Sequence, residues 1–153
     1  MFSLIITIIS IALVGALAMA TLYFGGDAFQ QGSAKAAAST IVNQASQING
    51  ANTLSFLDNQ AYAADVDALV GGDYLASAPN PGSISADDYA LGTDGSITLT
   101  GLTDAVCEQV NEQAGATQAT YADVGAATAG MTEQFGCHLV GAAGSEVATF
   151  VFK

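Results

Sequence analysis

Few side chains in this sequence are placed to do covalent or acid–base chemistry. They are Cys107, Cys137 and the adjacent His138, and two close carboxylate pairs, Asp65 with Asp67 and Asp87 with Asp88. Paired carboxylates serve as acid and base when their surroundings push their pKa values apart. Both pairs here stand in short polar strings typical of surface turns, so no catalytic role is assigned to them. His138 has no second histidine, or cysteine pair, at metal-ligand spacing. CxxC, GxSxG, HExxH and P-loop patterns are absent from the sequence. We therefore expect no enzyme activity, no cofactor and no metal. The cysteines offer one chemistry. In an exported chain an even count implies a disulfide, and two cysteines leave a single pairing. Closing a loop of this length stabilises a fold by about 3–4 kcal/mol.

The charge balance narrows the partners. Lys35 and Lys153 are the only basic side chains, against ten Asp and four Glu, for a net charge of -12 in 153 residues. Phosphate backbones and anionic lipid surfaces are bound by clustered Lys and Arg. Nucleic acid and anionic membrane surfaces are thus excluded as partners of the polar part. An acidic, lysine-poor surface instead keeps copies of a protein soluble by repulsion.

The elements that would carry the disulfide follow an unusual start. "MFSLIITIISIALVGALAMATLYFGG" holds no charged residue before Asp27, and about 20 apolar residues suffice for a helix to cross a bilayer. Ala18-Met19-Ala20 has the form of a signal-peptidase site, but no basic segment precedes it. A plain anchor would carry positive charge on its cytoplasmic side. Removal of a short basic leader accounts for both absences, and we expect Met1 to be a mature N-terminus.

Past Gly25-Gly26 the pattern stays helical. Ala34, Ala37, Ala38, Ile41, Ala45 and Ile48 recur on one face, Lys35, Ser39, Asn43 and Ser46 on the other, and Gly50 is the expected stop. A helix from Phe2 to Asn49 would be about 70 Å long. Its outer half can pack on a small head; its inner half needs lipid or other copies of itself. Within that half Ala12, Ala16 and Ala20 form a small-xxx-small seam, and Ser3, Thr7 and Ser10 a polar stripe able to bond carbonyls one turn back. Tyr23, Phe24 and Phe29 suit a membrane interface. The expected segments are an apolar helix over 1–24 for a membrane or for packing on copies of itself, its amphipathic continuation over 25–50, and a head over 51–153.

In the head, "NQAYAADVDALV" predicts a short helix stopped by Gly71-Gly72, and "DYLASAPNPG" a loop. "DYALGTDGSITLT" predicts two strands about Thr93-Asp94-Gly95. "GLTDAVCEQVNEQAG" predicts a helix capped by Thr103, with Leu102 stapled onto Cys107. A loose stretch follows to Met131. Alternation in "QFGCHLV" and "SEVATFVFK" predicts a second hairpin across Gly141–Gly144. The fold class is α+β: a long N-terminal helix on a small four-stranded antiparallel sheet. Ile41, Ala45 and Ile48 should cover one sheet face, meeting Phe135, Leu139 and Phe150.

Taken in this order, the parts resemble the bacterial type IV pilins, in particular the type IVb branch. The resemblance spans the chain: an uninterrupted apolar helix, an amphipathic continuation ending in "QINGA", the loop "DYLASAPNPG", and "ITLTGLTDAVCEQV" leading to the first cysteine of a C-terminal disulfide loop. It implies leader removal by a prepilin peptidase, N-methylation of Met1, residence in the inner-membrane lipid, and extraction by a pilus assembly machinery. The product would be a helical filament of copies at the cell surface, used for attachment or related tasks. Two features depart from the pattern. Position 5, typically glutamate, is Ile5, leaving Ser3, Thr7 or backbone carbonyls to meet the terminal amine. The mid-helix proline is missing, so Gly15 or Gly25-Gly26 would supply any break. The filament-core residues implied are Ser3, Ile5, Thr7, Ala12, Gly15, Ala16 and Ala20. A minor pilin or pseudopilin of a secretion system is the neighbouring alternative; a single-pass anchored binding protein is the alternative from another class.

Overall fold

The computed structural model describes residues 2–115, 133–140 and 147–153, with the backbone alone at 24–28 and 139–140. Met1, the loose stretch after Gly115, the Gly141–Gly144 turn and the side chain of Leu139 lie outside the described residues. Contacts divide the chain into two units, Met1–Ser33 and Ala34–Lys153.

Helix α1 spans Phe2–Asn59. Its end is nine residues beyond the stop expected at Gly50. The reason lies in the buried stripe: after Ala34, Ala38, Ile41, Ala45 and Ile48, the same spacing continues through Asn52 and Ser55, which are also buried. Gly50 is exposed on the far side of the helix. A single glycine there costs about 1 kcal/mol, less than the packing that continues past it. Gly25 and Gly26, proposed as a break, are helical in backbone as well; unlike proline, glycine removes no helix hydrogen bond.

The second unit places α2 (Val66–Gly71), β1 (Ala90–Leu91), β2 (Ile97–Leu102), α3 (Asp104–Ala114), β3 (Phe135–Val140) and β4 (Val147–Phe152) after α1. The sheet is antiparallel with order β1-β2-β4-β3. The two expected hairpins are therefore joined through β2 and β4, which sets the C-terminal strand in the middle. Phe150 and Phe152 lie in one buried cluster with Ile41, Ala45, Ile48, Ile97 and Leu99, and Phe135 packs on it. The rings of Phe135 and Phe152 are stacked with centroids 6.1 Å apart. The simple alternation expected of β4 does not hold: Ala148 through Phe152 are all buried. Thr149 and Val151, paired with His138 and Gly136, occupy the second face, and it too is covered.

Local chemistry fixes the connections. Helix α2 is shorter than expected because Asp65 caps it, its Oδ1 accepting the Ala68 N–H at 2.7 Å. Thr103 precedes α3 but makes no side-chain cap; its carbonyl instead accepts the N–H groups of Val106 and Cys107. Between Leu99 and Leu102 the β2 register slips against β4. Gly101 there has φ +76°, the left-handed region a glycine bulge requires. Gly95 is similarly constrained, with φ +86° and the Tyr62 ring 2.9 Å from where a Cβ would stand.

The free edge of β3 is closed by one side chain. Cys137 Nα–H donates to Asn111 Oδ1 at 2.7 Å, and Asn111 Nδ2 donates to the Cys137 carbonyl at 3.1 Å. Asn111 thus replaces a neighbouring strand at a buried point of an edge that would otherwise invite pairing. Asn111→Ala should leave two buried backbone groups without partners and destabilise the head by about 2–4 kcal/mol. Denaturant titration of the oxidised protein checks this, the expected result being a lower midpoint with an unchanged slope.

Candidate functional site

The first unit is the candidate. From Phe2 to Tyr23, 22 residues, α1 is long and apolar enough to cross a membrane, and none of it is buried. Its large apolar side chains are 53% to 84% exposed, Ile5 the least and Phe2 the most. At 1.5 Å per residue the segment is about 33 Å long, against a bilayer core of about 30 Å. Three of its hydroxyls bond back to their own helix. Thr7 Oγ1 donates to the Leu4 carbonyl at 2.8 Å, Ser10 Oγ to that of Ile6 at 2.8 Å, and Thr21 Oγ1 to that of Ala18 at 2.9 Å. A hydroxyl bonded to its own helix can enter lipid or a helix–helix contact without an orphaned donor.

Ala12, Ala16 and Ala20 stand exposed on one side of the helix. A Cβ added at Gly15 would meet nothing within 4 Å. Ser3, Ile5 and Thr7 are exposed in the same segment. The residues expected to form a filament core are thus all exposed on this helix.

The disulfide is formed. Cys107 in α3 and Cys137 in β3 are bonded with Cα atoms 5.2 Å apart, inside the usual span for a disulfide. Both are buried, and the bond lies beside the Asn111 bridge. Together they tie α3 to the edge strand at one place. Sequence reasoning found the bond through cysteine arithmetic but missed Asn111, since an Asn within a helical pattern carries no signal of the edge it will meet.

Comparison with protein-family models, characterised proteins and solved structures gave no match. Likeness therefore rests on the architecture itself: an apolar N-terminal helix and a small antiparallel sheet.

Of the paired carboxylates, Asp65 and Asp87 have structural partners. Asp65 caps α2; the Asp87 carboxylate accepts from Thr100 Oγ1, while Asp87 N–H donates to Ser85 Oγ at 3.0 Å. The two pairs are split between these tasks and an open groove of about 320 Å³, walled by Asp65, Asp67, Asp88, Asn80 and Tyr89 among others. Tyr89 donates to Gln44 Oε1 at 2.7 Å, and burial raises its pKa far above the usual phenol value. Asp94 is held below the ordinary carboxylate range by the Ser96 hydroxyl and N–H. No group of three His, Cys, Asp or Glu side chains able to hold a metal occurs among the described residues.

His138 is buried in the sheet, and its pKa is lowered mainly by desolvation, with Glu133 opposing and Lys153 adding to the effect. The unfolded chain then binds the proton more readily than the folded one. The contribution to stability is complete above the ordinary value of 6.5 and is lost as pH falls from there toward the lowered value. Denaturation midpoints should decline from pH 7.5 to 5.5, and His138→Gln should flatten that decline.

Ala16→Leu adds three heavy atoms to the seam where a second helix would approach; overpacking costs about 1–3 kcal/mol per site. In an assembly the cost recurs at every subunit. We expect assembled material to fall sharply while membrane-fraction levels and head folding are unchanged. Ile5→Glu, which leaves the alanine seam unchanged, should be tolerated better. Microscopy alongside membrane fractionation measures both.

Proposed function

We propose that this protein is the structural subunit of an extracellular filament of the type IV pilus kind, type IVb-like, polymerising through its N-terminal helix. One observation carries the reading: a 22-residue apolar helix, wholly exposed, on a chain whose other part is an acidic, disulfide-closed head. Before assembly residues 2–23 reside in membrane lipid. On extraction they exchange lipid for the same helix of other copies, so one segment meets both environments. The heads, which hold nearly all the charge, remain in water. Surface attachment is the task this assembly suits, with prepilin peptidase and an assembly machinery as its helpers and no nucleic acid among its partners.

A minor pilin would enter fibres built mainly of another chain, and an anchored binding protein would form none. Shearing cells and analysing the sedimented fibres by intact mass spectrometry separates these cases. The expected result is fibres dominated by this chain, with Cys107 and Cys137 oxidised and Met1 carrying one added methyl group. Recovery of the chain solely from the membrane fraction would reject the filament reading.

A further inference from the structure

The half of α1 that belongs to the head has a second face with no function yet assigned. Its buried stripe has a counterpart on the opposite side at the same spacing of fours and threes: Ala36, Asn43, Gln47, Gly50, Leu54 and Leu57, all exposed. From Ala36 through Leu57 there is no charged residue, in a chain of net charge -12. A helix face meant only for water normally carries charge. The hydroxyls beside this one bond back to their own helix, Ser39 to Lys35, Thr40 to Ala36, Ser46 to Val42 and Thr53 to Asn49. Leu54 and Leu57 are 54% and 69% exposed.

We propose that this face docks against a second copy of the chain; the proposal rests on the filament reading and adds the head's own contact to it. Three features select this occupant. A basic partner would be drawn to the carboxylates, which this face lacks. A lipid surface would call for a cluster of Lys or Arg, where α1 has Lys35 alone, and would not receive Asn43 and Gln47 at the centre. A like-charged copy can approach closely only where neither surface carries charge. The spacing also continues in the sequence: Ala36 repeats at sevens in Phe29, Leu22, Gly15 and Ile8, residues of the proposed assembly helix. A seam of fours and threes is what paired helices require, and an Asn within it specifies register.

Its size determines how the face works. A stretch of 22 residues, about 33 Å long and roughly 10 Å wide, offers about 330 Å² per copy. Stable complexes bury about 1,000 Å² or more in total. Alone it would not hold a dimer; it acts with residues 2–23, aligning heads that the apolar helices bring together.

The test uses the full chain. Leu54→Glu and Leu54→Lys should each lower fibre yield at least tenfold with the head still folded, while Thr93→Glu, in a turn outside α1, should not. The lysine variant separates contact from bulk charge, since it reduces the net negative charge and would favour assembly if repulsion alone mattered. Gln47→Cys in fibres, treated with a short bis-maleimide, should yield copy-to-copy adducts. Normal fibres from both Leu54 variants and no adduct would overturn this inference and leave the filament reading standing. Absence of fibres from the unsubstituted chain would overturn both.

Discussion

A helix whose large apolar side chains are all more than half exposed cannot remain in water. Moving twelve such side chains, from Phe2 to Leu22, out of water is worth on the order of 10–20 kcal/mol. That matches or exceeds the 5–15 kcal/mol by which a whole domain is ordinarily stable. The environment of residues 2–23 therefore dominates the energetics of the molecule, and the head must be built to stand without them. Its core begins at Ala34, and the helix it uses is tied down from within: Gln44 donates to the Asn80 carbonyl and accepts from Tyr89, and Asn52 accepts the Ala63 N–H.

Stability of the head then concentrates at its C-terminal end. The strand that finishes the chain is central, so the sheet is complete only when β4 has inserted between β2 and β3. Edge strand β3 is secured by the disulfide and by Asn111 at the same residue, Cys137. A covalent link and a buried amide bonded to both backbone groups of Cys137 thus act at one point. Acidic side chains leave the outer surface soluble, while α1 keeps one face for the sheet and another free of charge.

Much of this was legible in the sequence, and the misses have physical causes. The apolar run, the buried stripe from Ala34 to Ile48, the two hairpins and the disulfide follow from periodicity and cysteine count. Gly50 read as a stop because propensity is local, whereas the burial of Asn52 and Ser55 is tertiary. Thr103 has the right type for a cap, yet its hydroxyl makes no cap bond. Alternation in "SEVATFVFK" suggested one wet face, but a central strand covered on both sides has none. Asn111 could not be found, since its partner is a backbone edge 26 residues away. Ile5 stands exposed where the resemblance implies a glutamate, and among the described residues no charge pair takes its place.

Cryo-electron microscopy of native fibres bears most directly on the central claim, that residues 2–23 leave lipid to pack on copies of themselves. The account predicts a core of Phe2–Tyr23 helices in contact along the axis, with Ala16 at a helix–helix approach and the heads outside. Fibres built by the heads alone, with residues 2–23 cleaved or held apart from one another, would contradict it.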